Sequence, residues 1–219
     1  MSFSNSVLDL SHFNASVDFH LAHQSGIAGV IHKATQGILY CDPAYAPHKK
    51  QAEDAGMLWG AYHFGVGGDG IAQAEYFLNT VRPGPQTLLA LDLEANPQGP
   101  SMSLKEARAF VSHVQAVTGK YPGLYAGYYL KSLLAGQTDG VLANCWFWLS
   151  QYGETPVVPA NWKTWTLWQY TDGAMGPPPH DVPGVGRCDR NRFNGSVGEL
   201  REWWGAAHDL YRAAAAPQN

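Results

Sequence analysis

The run LLALDLEANP places Asp92 and Glu94 two residues apart at the end of an apolar segment, just before the turn signal Asn96-Pro97. In a β-strand, residues two apart share a face and lie about 6.6 Å apart along the chain. Both carboxyl groups would therefore project together. Hydrolysis of a glycosidic bond needs such a pair: one group protonates the leaving oxygen and the other manages charge at the anomeric carbon. An Asp-x-Glu triplet alone arises readily by chance, so other acids at strand ends carry the argument further. VLDLS places Asp9 in the first strand-like run, and CDRN places Asp189 in the last. If the first and last strands are neighbours in a closed barrel, these two acids meet at the seam, as capping groups or as part of the site. Four acids at one mouth are hard to explain as packing, because like charges brought together cost stability.

The elements that would position them alternate. Strand-like runs at 7–13, 29–35, 58–65, 87–94, 123–126, 145–152, 164–171 and 186–193 are separated by helix-like segments. That alternation predicts an α/β fold, a single (β/α)-barrel of eight strands, with catalytic groups at the C-terminal strand ends. Helices are expected over 42–56, opened by Asp42-Pro43, over 70–81, and over 103–118, where Ser103 and Glu106 form a capping box. Past the sixth strand the pattern thins. The segments 154–163 and 172–186 are too short or too rich in Pro and Gly for covering helices, so the helix set is incomplete in the second half. A last helix is expected over 196–204. The chain reads as one catalytic barrel over 1–210 with a loose tail over 211–219.

Composition narrows the function classes. Hydrophobic residues make up 45% of the 219, enough for one large core, while charged residues are only 15%. Eight Trp and 11 Tyr suit a sugar cleft, where rings stack on apolar sugar faces, although each ring can equally fill a core. A net charge of −4 offers no footprint for nucleic acid or anionic lipid, and no apolar run is long enough to span a bilayer. The opening MSFSNSVLDLSHFN lacks a basic stretch followed by an apolar run, so no signal peptide is expected. The three cysteines, Cys41, Cys145 and Cys188, are expected to be buried thiols. The nine His are scattered without zinc-binding spacing, so no metal or cofactor is expected and a metal-dependent amidase is disfavoured. His63, at the end of the third strand, either touches substrate or is a hydrogen-bonded structural residue.

Eight segments in order resemble glycoside hydrolase family 25, the muramidases. They are VLDLSHFN, HKATQG, GAYHFG, LALDLE, GLYAG, WLSQYG, WQYTD and CDRNRFNG, together spanning nearly the whole chain. The resemblance implies a flattened TIM-like barrel that cleaves the β-1,4 bond between N-acetylmuramic acid and N-acetylglucosamine. It implies Glu94 as general acid and Asp92 as the partner that assists attack by the substrate's own N-acetyl group. Asp9 and Asp189 would set the charge state and orientation of that pair. Tyr62, Tyr125 and Trp168 would line the cleft with Lys33 nearby, and Trp148, Gln169 and His63 are counted with the substrate-binding set. The expected partner is the glycan strand of peptidoglycan, met by a monomer at the cell wall, as a phage lysin or a secreted or injected effector. A chitinase-like enzyme is the rival glycosidase, but such enzymes carry a further Asp two residues ahead of the pair, where this chain has Ala90. A wall-binding barrel without turnover is the rival outside catalysis. His32 and Cys188 stand where the family has aliphatic residues. Arg190 and Arg192 suggest contacts to carboxylates of the peptide stem or lactyl group, or pairing with surface acids.

Overall fold

The computed structural model describes residues 3–14 and 16–205 in full and 206–214 as backbone. Eight strands close on themselves: β1 (Ser4–Leu10), β2 (Gly29–Gln36), β4 (Leu58–Phe64), β5 (Leu88–Asp92), β6 (Gly123–Ala126), β7 (Trp146–Ser150), β8 (Leu167–Thr171) and β11 (Asp189–Phe193). β1 pairs with both β2 and β11, which seals the barrel. Two short additions sit outside the ring. β3 (Tyr40–Cys41) folds back on β2, and β9 (Asp181–Val182) pairs with β10 (Gly186–Arg187) in a separate hairpin.

Period-two alternation assigns each side chain a face. Val7, Ile31, Leu88, Ala90, Tyr125, Trp148, Leu167 and Phe193 point inward and pack together. Their chain neighbours, such as Leu8, Val30, Leu89, Leu91, Leu124, Phe147 and Leu149, point outward against the helices. Those helices are α1 (Phe19–Gln24), α2 (Tyr45–Asp54), α3 (Gly70–Val81), α4 (Leu104–Thr118), α5 (Tyr128–Leu134) and α6 (Val197–Ala214). The capping box of α4 forms as expected, with Ser103 and Glu106 bonded reciprocally. No helix joins β7 to β8 or β8 to β11.

The floor of the barrel is plugged by α6. Leu200 and Trp204 are fully buried among the inward strand residues, and the Trp204 indole N–H donates to the carbonyls of Trp59 and Gln86 at 3.3 and 3.2 Å. At Gly123 a side chain is sterically barred, since a Cβ there would lie 2.2 Å from the Trp146 ring.

Several expectations are corrected. β11 runs antiparallel to both β1 and β8, so the barrel is not all-parallel. The cause is the short connection after β8, which turns back through the β9–β10 hairpin and carries no crossover helix. α2 begins at Tyr45, not at Pro43: Asp42 is buried, and its carboxylate accepts from the Ala44 and His12 backbone N–H groups. α1 and α5 are short helices that were not expected. α6 extends well past 204, starting from a second Ser-x-x-Glu capping pair, Ser196 and Glu199. The tail expected over 211–219 lies partly in α6 and otherwise outside the described residues. Cys145 and Cys188 are buried thiols, but Cys41 is exposed on β3.

Candidate active site

Asp92 closes β5 and Glu94 follows two residues on, both directed into the mouth of the barrel. Asp9 comes from β1 and Asp189 from β11, where they are direct cross-strand partners. The antiparallel course of β11 puts its first residue, Asp189, level with the C-terminal ends of the other strands. All four acids line one cavity of ≈ 340 Å³, with Tyr62, Phe64, Tyr125, Trp148, Tyr152, Gln169 and Asp172. A second, larger cavity of ≈ 740 Å³ adjoins it, lined by His12, Phe13, Lys33, Gln36, Tyr40 and the 94–98 segment. Phe64 and Glu94 belong to both. Glu94 therefore stands where the two halves of the cleft meet.

The electrostatics follow from crowding. Two unit charges about 4 Å apart in a protein interior of effective dielectric about 20 repel by roughly 4 kcal/mol, more than a typical net hydrogen bond returns. Adjacent carboxyls relieve this by retaining protons. Burial, reinforced by the charges of Asp9, Asp172 and Glu94, pushes Asp189 up to about 9, while Asp9 rises only to about 6 because hydrogen bonds from Asn191, Gln169 and Asp189 oppose its desolvation. Burial and the Glu94 charge hold Asp92 well above the usual range, with Lys33 pulling the other way. Burial and the Asp9 charge raise Glu94.

The walls are aromatic. Trp148 meets Tyr125 edge-on at 4.7 Å and Tyr62 at 6.3 Å between ring centroids. The Lys33 ammonium donates to Gln36 at 2.7 Å and lies 5.0 Å from the Phe64 ring centre, lining the second cavity. Among the described residues, no three His, Cys, Asp or Glu are grouped as a metal ion would require.

Two expected cleft residues lie elsewhere. Trp168 is buried on the outer face of β8, donating to the Gln151 carbonyl at 2.6 Å. His63 is buried on the outer face of β4, between Thr35 and Gln73 and stacked on Phe110. Alternation is the reason: Gln169 and Tyr62 take the inward positions, so their chain neighbours must face out. The same rule moves the arginines. Arg192 packs over Phe3, Trp168 and Tyr170 on the outer wall, and Arg190 donates to the Asp181 carbonyl at 2.7 Å, so neither reaches the cleft. Asn191, Tyr152, Phe64 and Asp172 were missed. Asn191 and Phe64 were legible from the same alternation, being two residues from Asp189 and Tyr62. Tyr152 and Asp172 lie in loops and left no comparable signal.

A family model described as glycosyl hydrolases family 25 matches residues 8–177 of this chain. "Lysozyme M1" of Streptomyces globisporus is 31% identical over 213 residues, covering 88% of this chain and 69% of that protein. An N,O-diacetylmuramidase of a Chalaropsis species is 30% identical over 218 residues, covering 89% and 96%. The crystal structure of a bacterial lysozyme from Streptomyces coelicolor superimposes with a TM-score of 0.81 at 30% identity, covering 94% of this chain and 99% of that one.

Proposed function

Since this chain belongs to glycosyl hydrolases family 25 and is a glycoside hydrolase, we propose that it cleaves the β-1,4 bond from N-acetylmuramic acid to N-acetylglucosamine in peptidoglycan. The observation that carries the reading is the meeting of four acids from β1, β5 and β11 in one aromatic-walled cavity.

Glu94 serves as the general acid. It is only partly buried, sits between the two cavities, and keeps its proton to higher pH through desolvation and the nearby Asp9 charge. Those are the requirements for donating to a glycosidic oxygen near neutral pH. The sugar undergoing substitution occupies the cavity lined by the four acids, and the departing sugar the adjoining one. Asp92 assists the acetamido group of the reacting sugar as it attacks the anomeric carbon. Its side chain lines the cavity beside Glu94, which supports that role. Tyr62, Tyr125 and Trp148 bound the cavity of the four acids, and Lys33 adds a cation near Asp92. Acetamido participation implies retention at the anomeric carbon. We take the working form to be a monomer acting at the cell wall.

Mass spectrometry of fragments from purified peptidoglycan tests this directly. Fragments with reducing muramic ends are expected. Reducing glucosamine ends or freed peptides would overturn the bond assignment, and inversion in the first product seen by NMR would remove the acetamido step.

A further inference from the structure

Asp9 is 6% exposed and sits on the inner wall without a cationic hydrogen-bond partner among the described residues, yet both of its oxygens accept N–H groups. The Gln169 amide nitrogen lies 3.1 Å from each oxygen, and the Asn191 amide nitrogen 2.8 Å from Oδ2. The orientation of Asn191 is dictated by its other end, and that of Gln169 is matched by its own. Trp148 Nε1, which can only donate, lies 2.6 Å from Asn191 Oδ1, and the Val7 carbonyl, which can only accept, lies on the nitrogen side. Gln169 Oε1 accepts from the hydroxyls of Tyr125 at 2.8 Å and Tyr152 at 3.1 Å. Flipping Asn191 would set its amide nitrogen against the Trp148 N–H, whereas flipping Gln169 would set its oxygen against the Asp9 carboxylate. N–H groups on both oxygens favour the ionised form of Asp9, because a carboxylate oxygen is the stronger acceptor. Those donors bias the cross-strand pair toward a proton on Asp189, which burial and the Asp9 charge push up to about 9 against about 6 for Asp9.

We infer that Gln169 and Asn191 are positioning residues: an amide clamp, with Asn191 oriented by Trp148 and Gln169 backed by Tyr125 and Tyr152, that keeps Asp9 a carboxylate so that its fixed charge holds the proton on Glu94. The inference rests on the muramidase reading above. The titratable groups facing Asp9 are Asp189 and Cys188 at the start of β11, Asp92 and Glu94 at the end of β5, Tyr62 on β4, Tyr125 on β6 and Tyr152 after β7. None is a cation, so neutral donors offset desolvation of the charge, the two amides first and Asp189 and the backbone after them. The charge of Asp9 is the leading influence on Glu94 after burial, in the direction that retains the proton.

The experiment is the pH profile of kcat/KM on purified peptidoglycan for the native chain, Gln169→Leu, Asn191→Leu, Asp9→Asn, and each clamp substitution combined with Asp9→Asn. Losing the clamp lets Asp9 take up a proton near neutral pH, so Glu94 gives up its own at lower pH. The alkaline limb should move acidward by about one pH unit in each single variant. In the Asp9→Asn background the clamp substitutions should add no further shift. An unmoved limb in folded variants, or a shift that persists without the Asp9 charge, overturns the inference. Should the variants not fold, carbon-13 titration of the native aspartates decides it. Asp9 should stay ionised down to about pH 6 while Asp189 keeps its proton to about 9, and the reverse order refutes the clamp. A native chain that releases no muramic ends at any pH overturns the muramidase reading instead, and the titration still judges the clamp.

Discussion

The two ends of this barrel are built from the same inward-facing positions and carry opposite chemistry. At the floor, Val7, Leu88 and Phe193 close around Leu200 and Trp204 in an apolar plug. At the mouth, two residues further along β1 and four further along β5, Asp9 and Asp92 stand equally shielded from solvent but polar. The floor gains stability from every group it buries. The mouth spends it, because buried acids without cationic hydrogen-bond partners must keep protons or be held by neutral donors. Site and scaffold are thus separated along the barrel axis, and substitutions at the two ends should be told apart by what they change.

The largest contrast is expected from Glu94→Gln. Losing the general acid should lower kcat by roughly 100- to 10,000-fold in a turbidity assay, with thermal unfolding little changed. Near-native lysis would end the assignment. Asp92→Asn should also cripple turnover, by a smaller factor. At the other end, Trp204→Ala empties the plug and should cost about 3–5 kcal/mol in chemical denaturation, while surviving folded enzyme keeps the pH limbs of the native chain. A shift in those limbs would show that the ends are coupled.

A subtler test uses pH. Asp9 and Asp189 have folded-state pKa values of about 6 and about 9, above the ordinary 3.8, so the folded chain holds more protons than the unfolded chain between those limits. Their contribution is present at low pH and is lost as pH rises through each value. His32 and His63, pushed down to about 4 by burial, act in the opposite sense below pH 6.5. Above pH 6.5 and up to about 9 the Asp189 effect therefore stands clear of theirs. Urea midpoints should fall with pH across that window, and Asp189→Asn should flatten the fall. The smallest effect belongs to the outer wall. Arg192→Met should leave KM for peptidoglycan within about twofold, since the lost guanidinium packs on rings behind the cleft. A large rise in KM would return Arg192 to the substrate.

How much was legible can be judged residue by residue. Asp92 and Glu94 were readable because both lie on one strand and its immediate extension, where alternation is a local rule. The same rule, applied to adjacent pairs, would have kept Trp168 and His63 out of the cleft once Gln169 and Tyr62 were placed in it. Asp189 was found as an acid near the end of the chain, yet its position depended on a reversal of strand direction that local pattern does not encode. The clamp around Asp9 was less accessible still, since its contacts join residues separated by up to 182 positions.

By itself, the sequence determined the alternation of strands and helices, the number of barrel strands, the paired acids after β5 and the thinning of helices in the second half. All of these are written in spacing over a few residues, through backbone periodicity and burial of apolar side chains. Only the tertiary structure decided that β11 runs antiparallel, that α6 seals the floor, and that two amides share the charge of Asp9. Those outcomes come from closing the sheet, which brings β1 and β11 side by side and sets Asp9 against Asp189.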